Sequence, residues 1–313
     1  MAISLKDLRK KIKSVQGTRK LTQAMQMIAA SKMQKAIKAA ETSRNYSNLA
    51  WEIIQNIRGK TELSTHNLLS ERKVNKVAIV LSTSNRGMCG AFNSQIIKKT
   101  FSYIKEMKDK NINVKLITVG NKGKLFAARY FKEILVADFP AFDKVTEFID
   151  VLPVANMLIS DYQAEKYDQV HLFYNHFVST LKQEPTQRQI LPIPNIETLD
   201  ARQQTLEKKQ ETESDKLLSS NVYRLTSSEY KFEPDTDSIL DILLPQVIKT
   251  QIHQIFLESN ASEQSARMMA MKNATDNASD MIDDLTLTYN GLRQAAITRE
   301  ISEISAGAEA LRS

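Results

Sequence analysis

The sequence predicts a mixed α/β protein: a long antiparallel two-helix coiled coil, built from the N- and C-terminal arms, carrying a central Rossmann-like doubly wound α/β domain. Three observations predict it. The end stretches Met1–Arg58 and Gln246–Ser313 contain no proline, the residue that breaks helix interiors by removing a hydrogen bond and clashing with the preceding turn. Both stretches repeat apolar residues at helical spacing. The middle of the chain instead alternates short β-branched runs with helical patterns, the mark of βαβ units and a mainly parallel sheet.

The first arm, residues 1–60, opens with Ser4 and, three residues on, Asp7, in the pattern of a capping box. Leu5, Leu8, Ile12 and Val15 start a seam that continues through Arg19, Thr22, Gln26 and Ala29, with Leu21, Met25 and Ile28 in a second stripe beside it. A static coiled coil keeps Leu or Ile at seam positions, since these supply most of its stability. Here the seam turns small and polar. Met25, Met27 and Met33 add adaptable contact surface, and Gly59 supplies a C-terminal stop. A helix of this length spans roughly 85 Å at about 1.5 Å per residue, more than a compact domain needs, so the arm is expected to pair with its counterpart.

The central region, residues 74–195, carries strand patterns at Lys76–Thr83, Val114–Gly120, Glu133–Phe139, Gln169–Ser179 and Arg188–Ile193. Helical patterns at Asn93–Lys110, Lys122–Phe131 and Thr146–Lys166 lie between them. After the first strand comes SNRGMCGAFN, where a Rossmann domain would cradle phosphate. Only Gly87 and Gly90 are present, without the three-glycine fingerprint, and no GxxxxGK[ST] motif occurs anywhere. A tight turn packing strand on helix is the better reading. Residues 196–236 form a polar linker or insertion, charge-mixed over residues 200–222.

The second arm, residues 237–313, has its own capping-box pattern at Ser238 and Asp241, and Pro245 either kinks that helix or starts the long one. Its seam mixes Ala261, Ser265, Thr275 and Ala278 with Met268, Met271, Ile282 and Leu285. If Arg58 pairs near Ser238, Met1 pairs near residue 295 and the last turns overhang alone. That overhang is too apolar for bare solvent, too short to span a membrane, and should insert into another protein.

Composition narrows the function classes. At 313 residues and 42% apolar content the chain can bury a core. Cys89 is the single cysteine, which excludes an intrachain disulfide and fits a reducing compartment. Residues 1–40 hold ten Lys or Arg against Asp7 alone, a net of +9 that leaves −2 for the rest of a +7 chain. Such a basic end suits nucleic acid, an acidic membrane surface or an acidic protein partner, although no aromatic before Tyr46 could stack on bases. His66, His171, His176 and His253 are scattered without metal-ligand spacing, and no acid–base pair stands out. No catalytic residue, cofactor or metal is expected. Two alternatives stay open on the residues alone: a Rossmann-like nucleotide-binding protein and a basic coiled-coil nucleic-acid-binding protein.

The arms also carry a resemblance. Ile12–Met33 (IKSVQGTRKLTQAMQMIAASKM), the SNRGMCGAFN turn, Ala261–Ala278 (ASEQSARMMAMKNATDNA) and Leu285–Ile304 (LTLTYNGLRQAAITREISEI) closely resemble, in order and nearly over the full length, the gamma subunits of bacterial F-type ATP synthases. The resemblance implies a rotor shaft turning inside a hexamer of alpha and beta subunits, with ATP chemistry on beta and the shaft base against the epsilon subunit and the membrane c-ring. It implies a peripheral position at the cytoplasmic face of the bacterial membrane, with neither membrane insertion nor nucleic-acid binding.

Met25, Arg267, Arg293, Gln294, Thr298 and Glu300 fall at family positions that contact the catalytic hexamer, and Phe232 and Glu233 match the foot near the c-ring and epsilon. Asn85 stands where the family turn has aspartate, and Ala91 where it has glycine. The stretch 200–222 is longer than usual, and the chloroplast redox cysteine pair is absent.

Overall fold

In the computed structural model, residues 4–58, 66–70, 72–142, 146–194 and 236–310 are described. Gly59, the stretch 200–222, Phe232 and Glu233 lie outside them. The elements run α1 (Leu5–Arg58), β1 (Lys76–Ser82), α2 (Phe92–Asp109), β2 (Asn113–Val119), α3 (Asn121–Tyr130), β3 (Leu135–Phe139), α4 (Phe148–Gln163), β4 (Gln169–Phe177), β5 (Gln183–Leu191) and α5 (Thr236–Ala310).

The five strands order as β3-β2-β1-β4-β5. β1 pairs in parallel with β2 and β4, and β2 with β3, while β5 returns antiparallel on β4. The expected doubly wound sheet is present, with one antiparallel edge. β1 is apolar on both faces because helices cover both. Val77, Ile79 and Leu81 face Ile96 and Ile104 of α2 and Ala127 of α3. Ala78 and Val80, one residue out of phase, face Val154, Leu158 and Tyr162 of α4 and Leu244, Ile248 and Ile252 of α5. The period of two thus divides the strands between two cores.

Three expectations need correction. β5 starts at Gln183 rather than Arg188; its first residues are polar and half-buried, so no apolar alternation announces them, and only pairing with β4 makes them a strand. Pro185 is tolerated there because β5 is an edge. Ser238 lies inside α5, which already begins at Thr236, and of the two alternatives for Pro245 the start of the long helix falls away, since the residue lies within it. Its missing N–H leaves the Asp241 carbonyl without a helical donor, but Asp241 and Ile242 are exposed, so that carbonyl is open to solvent, while Leu244, Val247 and Ile248 beside it are buried. At the start of α1, the Ser4 hydroxyl accepts the Lys6 N–H rather than that of Asp7, a one-residue variant of the expected cap.

One turn fixes where the helices leave the sheet. Gly120, between β2 and α3, has φ +101°, and a Cβ there would collide with the Thr83 carbonyl. Only glycine fits. Thr83 Oγ1 then accepts the Gly123 N–H at 2.8 Å and donates to the Val119 carbonyl at 3.1 Å, tying the ends of β1 and β2 together.

Candidate functional site

The two long helices form an antiparallel shaft. Along α1 the inward positions are Leu8, Ile12, Val15, Arg19, Thr22, Gln26, Ala29, Met33, Ala36, Ala40, Ser43, Ser47, Ala50 and Ile54. They alternate steps of four and three, a mean of about 3.5 residues that winds two helices into a left-handed supercoil. On α5 the sequence Met268, Met271, Thr275, Ala278, Ile282, Leu285 and Tyr289 does the same. Arg9 Nη2 donates to Tyr289 Oη at 3.1 Å, and Thr275 Oγ1 donates to Thr22 Oγ1 at 2.8 Å. These contacts set the register that the arm lengths demand. Leu21, Met27 and Ile28 lie outside the seam and are exposed.

Where the shaft meets the globular part, α5 is enclosed on every side. From Thr250 to Ser265 all residues are buried except His253, which is half-buried. Many are polar, so their hydrogen bonds need partners. Gln251 donates to the Ser47 carbonyl at 3.0 Å, Gln254 to the Ala40 carbonyl at 3.2 Å, and Asn260 to the Phe142 carbonyl at 3.0 Å.

Ser259 and Ser82 hydroxyls meet at 3.0 Å, and Ser265 donates to the Thr180 carbonyl at 2.7 Å. At the centre Glu258 receives Gln254 Nε2 at 3.1 Å, His176 Nδ1 at 2.8 Å and the Arg44 guanidinium at 3.6 Å. Burial pushes the Glu258 carboxyl up, but the hydrogen bond and charge of His176, with Gln254 and Arg44, outweigh it and hold the group below the usual carboxylate range. Tyr174 beside it is pushed up to about 12 by burial and by the Glu258 charge.

The SNRGMCGAFN turn abuts the same segment. Asn85 Nδ2 donates to the Ala141 carbonyl at 2.8 Å, and its Oδ1 accepts the Ala141 N–H at 3.0 Å. An aspartate could make only the second bond, so the amide joins this turn to the end of β3 in both directions. Asn93 Nδ2 reaches Ser84 Oγ at 2.7 Å and Cys89 Sγ at 3.1 Å; burial pushes the Cys89 thiol up, against the Ser84 hydrogen bond. Such a thiol is a poor nucleophile. Arg267 closes the turn onto the shaft: its Nη1 donates to Glu263 Oε1 at 2.7 Å and its Nη2 to the Arg86 carbonyl at 3.4 Å.

Beyond Tyr289 no described residue covers the second helix. Every residue from Asn290 to Ala308 is exposed, a length of about 30 Å at 1.5 Å per residue. Ile297, Ile301 and Ile304 recur at steps of four and three, so their side chains share one face, and Ile301 is 61% and Ile304 66% exposed.

The predicted contact residues fall into two groups. Arg293, Gln294, Thr298 and Glu300 all lie on the bare tip, where Thr298 spends its hydroxyl on the Gln294 carbonyl at 3.0 Å. Met25 is half-buried on α1, and the Thr22–Thr275 register puts it within about two helical turns of Arg267. The tip group lies roughly 40 Å along α5 from Arg267. Sequence reasoning missed the holders of Arg267 and Glu258. The four-residue step from Glu263 to Arg267 was a readable signal; Arg86, His176 and Arg44 approach only through tertiary structure. Among the described residues no helix is long and apolar enough to cross a membrane.

A family model described as ATP synthase matches residues 4–311. The ATP synthase gamma chain of Pelagibacter ubique is 39% identical over 312 residues, covering 98% of this chain and 99% of that one. The gamma chain of Bordetella pertussis is 39% identical over 314 residues with the same coverage. Among solved structures, a chain in the central stalk and c-ring of Tetrahymena thermophila mitochondrial ATP synthase is 25% identical, with a TM-score of 0.57, covering 81% of this chain and 99% of that one. A chain of the Euglena gracilis mitochondrial ATP synthase rotor, 16% identical, has a TM-score of 0.59 and covers 94% of this chain and 98% of that one; that likeness is one of fold alone.

Proposed function

The chain belongs to the ATP synthase gamma-chain family, a central-stalk subunit of the F-type enzyme, and on that premise we propose that it is the rotor shaft coupling ion flow to ATP chemistry. Proton or sodium flow through the membrane c-ring turns the shaft inside a hexamer of alpha and beta subunits. ATP is made or hydrolysed on beta, and this chain, itself non-catalytic, transmits torque and influences ATPase regulation. It sits peripherally at the cytoplasmic face of the bacterial membrane. Phe232 and Glu233 belong to the foot against the c-ring and epsilon subunit.

The observation that carries this reading is the bare tip of α5, helical and apolar on one face yet unpaired from Asn290 onward. A lone helix of that kind needs a sleeve. Arg293, Gln294, Thr298 and Glu300 meet the sleeve at the tip, while Met25 and Arg267 meet it lower down. The charged outer face of the shaft, with Lys10, Lys11, Lys20 and Lys35 exposed, suits turning, because exposed charge pairs contribute only about 0–1 kcal/mol each and no single contact traps it. Basic residues of the first arm face acidic loops of successive catalytic subunits.

Truncation after Leu292 tests the reading in the assembled enzyme. The expected outcome is an unchanged melting transition of the isolated chain together with loss of proton-driven ATP synthesis in reconstituted vesicles. Global unfolding of the truncated chain, or full coupling in its absence, would refute the sleeve-bound tip. In a pull-down with the intact chain, alpha and beta subunits are expected, and their absence would count against the rotor itself.

A further inference from the structure

The outer layer of the globular part carries a second concentration of positive charge, away from the shaft. Between Lys98 and Lys132 the chain holds ten Lys or Arg against Glu106 and Asp109 alone, a net of +8. On α2, Lys98, Phe101, Lys105 and Lys108 step by three and four residues and are all exposed, so they form one stripe. On α3, Phe126, Arg129 and Tyr130 lie on the neighbouring face. Rings join the stripes: Phe101 to Phe131 at 5.7 Å, Phe131 to Phe126 at 5.6 Å and Phe126 to Tyr130 at 5.2 Å. Phe126 and Phe131 are recessed and half-buried, while Phe101, Leu125 and Tyr130 stand exposed at the sides.

This surface is a furrow with an aromatic floor and cationic banks. Among the described residues, Lys110 pairs with Glu106 and Lys124 with Asp138; no such pair involves Lys98, Lys105 or Lys132. Crowding like charges on two short helices costs stability, and an acidic partner removes that cost. The rings favour a polypeptide over the other acidic surfaces. Lys108 already stands over the Phe131 ring at 5.6 Å, and Arg129 over Tyr130 at 5.4 Å, so these faces are capped against base stacking. The deepest rings lie below the ammonium groups, the reverse of a surface that plunges aromatic tips into a bilayer.

We propose that the α2–α3 furrow docks an acidic amphipathic helix of another polypeptide in the complex. Apolar residues of that helix at steps of three and four would cover Phe101 and Phe126, and carboxylates on its flanks would meet Lys98, Lys105 and Arg129. The inference goes beyond the shaft reading, since it concerns a face turned away from the α1–α5 coil.

The test places the photo-cross-linker p-benzoylphenylalanine at Phe101 of the full chain in the assembled, membrane-bound enzyme, and maps adducts by mass spectrometry. An adduct confined to one acidic helical segment of another polypeptide is expected. The triple variant Lys98→Glu, Lys105→Glu and Arg129→Glu should lower its yield at least tenfold while the melting transition of the isolated chain stays in place. Adducts to lipid, to nucleic acid or to a non-acidic segment would overturn the proposal. So would no adduct, or a yield indifferent to charge reversal. A second probe at Ile301 reports on the tip separately, so failure at the furrow and failure of the shaft reading are told apart.

Discussion

Residues 250–265 and 290–308 lie on the same unbroken helix, and their burial runs opposite to what their composition suggests. The first stretch holds Gln251, Gln254, Glu258, Asn260 and Glu263, and it is enclosed; the second exposes Leu292, Ile297, Ile301 and Ile304. Burial of polar groups is costly without fixed partners; α1, the sheet and the loops around the collar supply them to Gln251 Nε2, Gln254 Nε2, Glu258 and Asn260, while Gln251 Oε1, Gln254 Oε1 and Ser262 Oγ are buried without one. Exposure of apolar groups is tolerable over a short stretch when another surface waits to cover them. The collar is thus enclosed by the rest of the chain, and the tip is bare among the described residues. One helix is both anchor and probe.

The contrast can be broken most severely at Phe256, which is fully enclosed and packs edge-on against Phe142 at 5.2 Å. Phe256→Ala should cost about 3–5 kcal/mol, read as a lower urea midpoint of the isolated chain. A loss below about 1 kcal/mol would mean that the collar is loosely packed.

Next comes Glu258→Gln, which leaves His176 and Arg44 without their carboxylate and should cost about 1–3 kcal/mol at neutral pH. Because the folded-state carboxyl sits below its ordinary value of 4.5, its stabilisation is present above that pH and is lost as pH falls through the folded-state value. The parent should therefore lose more stability than the variant on acidification below 4.5. Equal acid sensitivity in the two chains would show that Glu258 is not the linked group.

Along the coil, Thr22→Val and Thr275→Val each remove the bond between the two hydroxyls but leave the remaining one its helical carbonyl, Met271 at 2.8 Å or Arg19 at 3.0 Å, so each should cost about 1 kcal/mol or less and the double variant should cost less than the sum of the two. Strict additivity would dissolve the proposed pair. The smallest effect on the fold is expected at the tip. Ile301→Ala should change the urea midpoint by less than about 0.5 kcal/mol equivalent while lowering ATP synthesis in the reconstituted enzyme; a large loss of stability would place the tip in a contact within the chain.

Legibility followed periodicity. The α1 seam from Leu8 to Ala29 was readable because steps of four and three survive even where Arg19, Thr22 and Gln26 replace apolar residues. β1 and β2 were readable because Val, Ile and Leu dominate KVAIVLS and NVKLITV, strands buried over most of their length. The first half of β5 was not: Gln183, Glu184 and Gln187 carry no pattern, and their strand geometry comes from β4. Among the predicted contact residues, Arg293, Gln294, Thr298 and Glu300 were singled out by the family resemblance, and helix length put them beyond the end of α1. The enclosure of Arg267 by Glu263 and Arg86 was half readable, through the helical step but not through the turn.

By itself the sequence determined the two arms, their period, their unequal reach and the strand–helix alternation between them, because each depends on local spacing. The tertiary structure alone decided that Pro245 remains inside α5, that Gln251, Gln254 and Glu258 are buried while Ile301 and Ile304 are bare, and that His176 and Arg44 converge on one carboxylate. Those outcomes depend on groups from α1, the sheet and α5 meeting in space, and a polar side chain is stable in the interior only when such distant partners arrive.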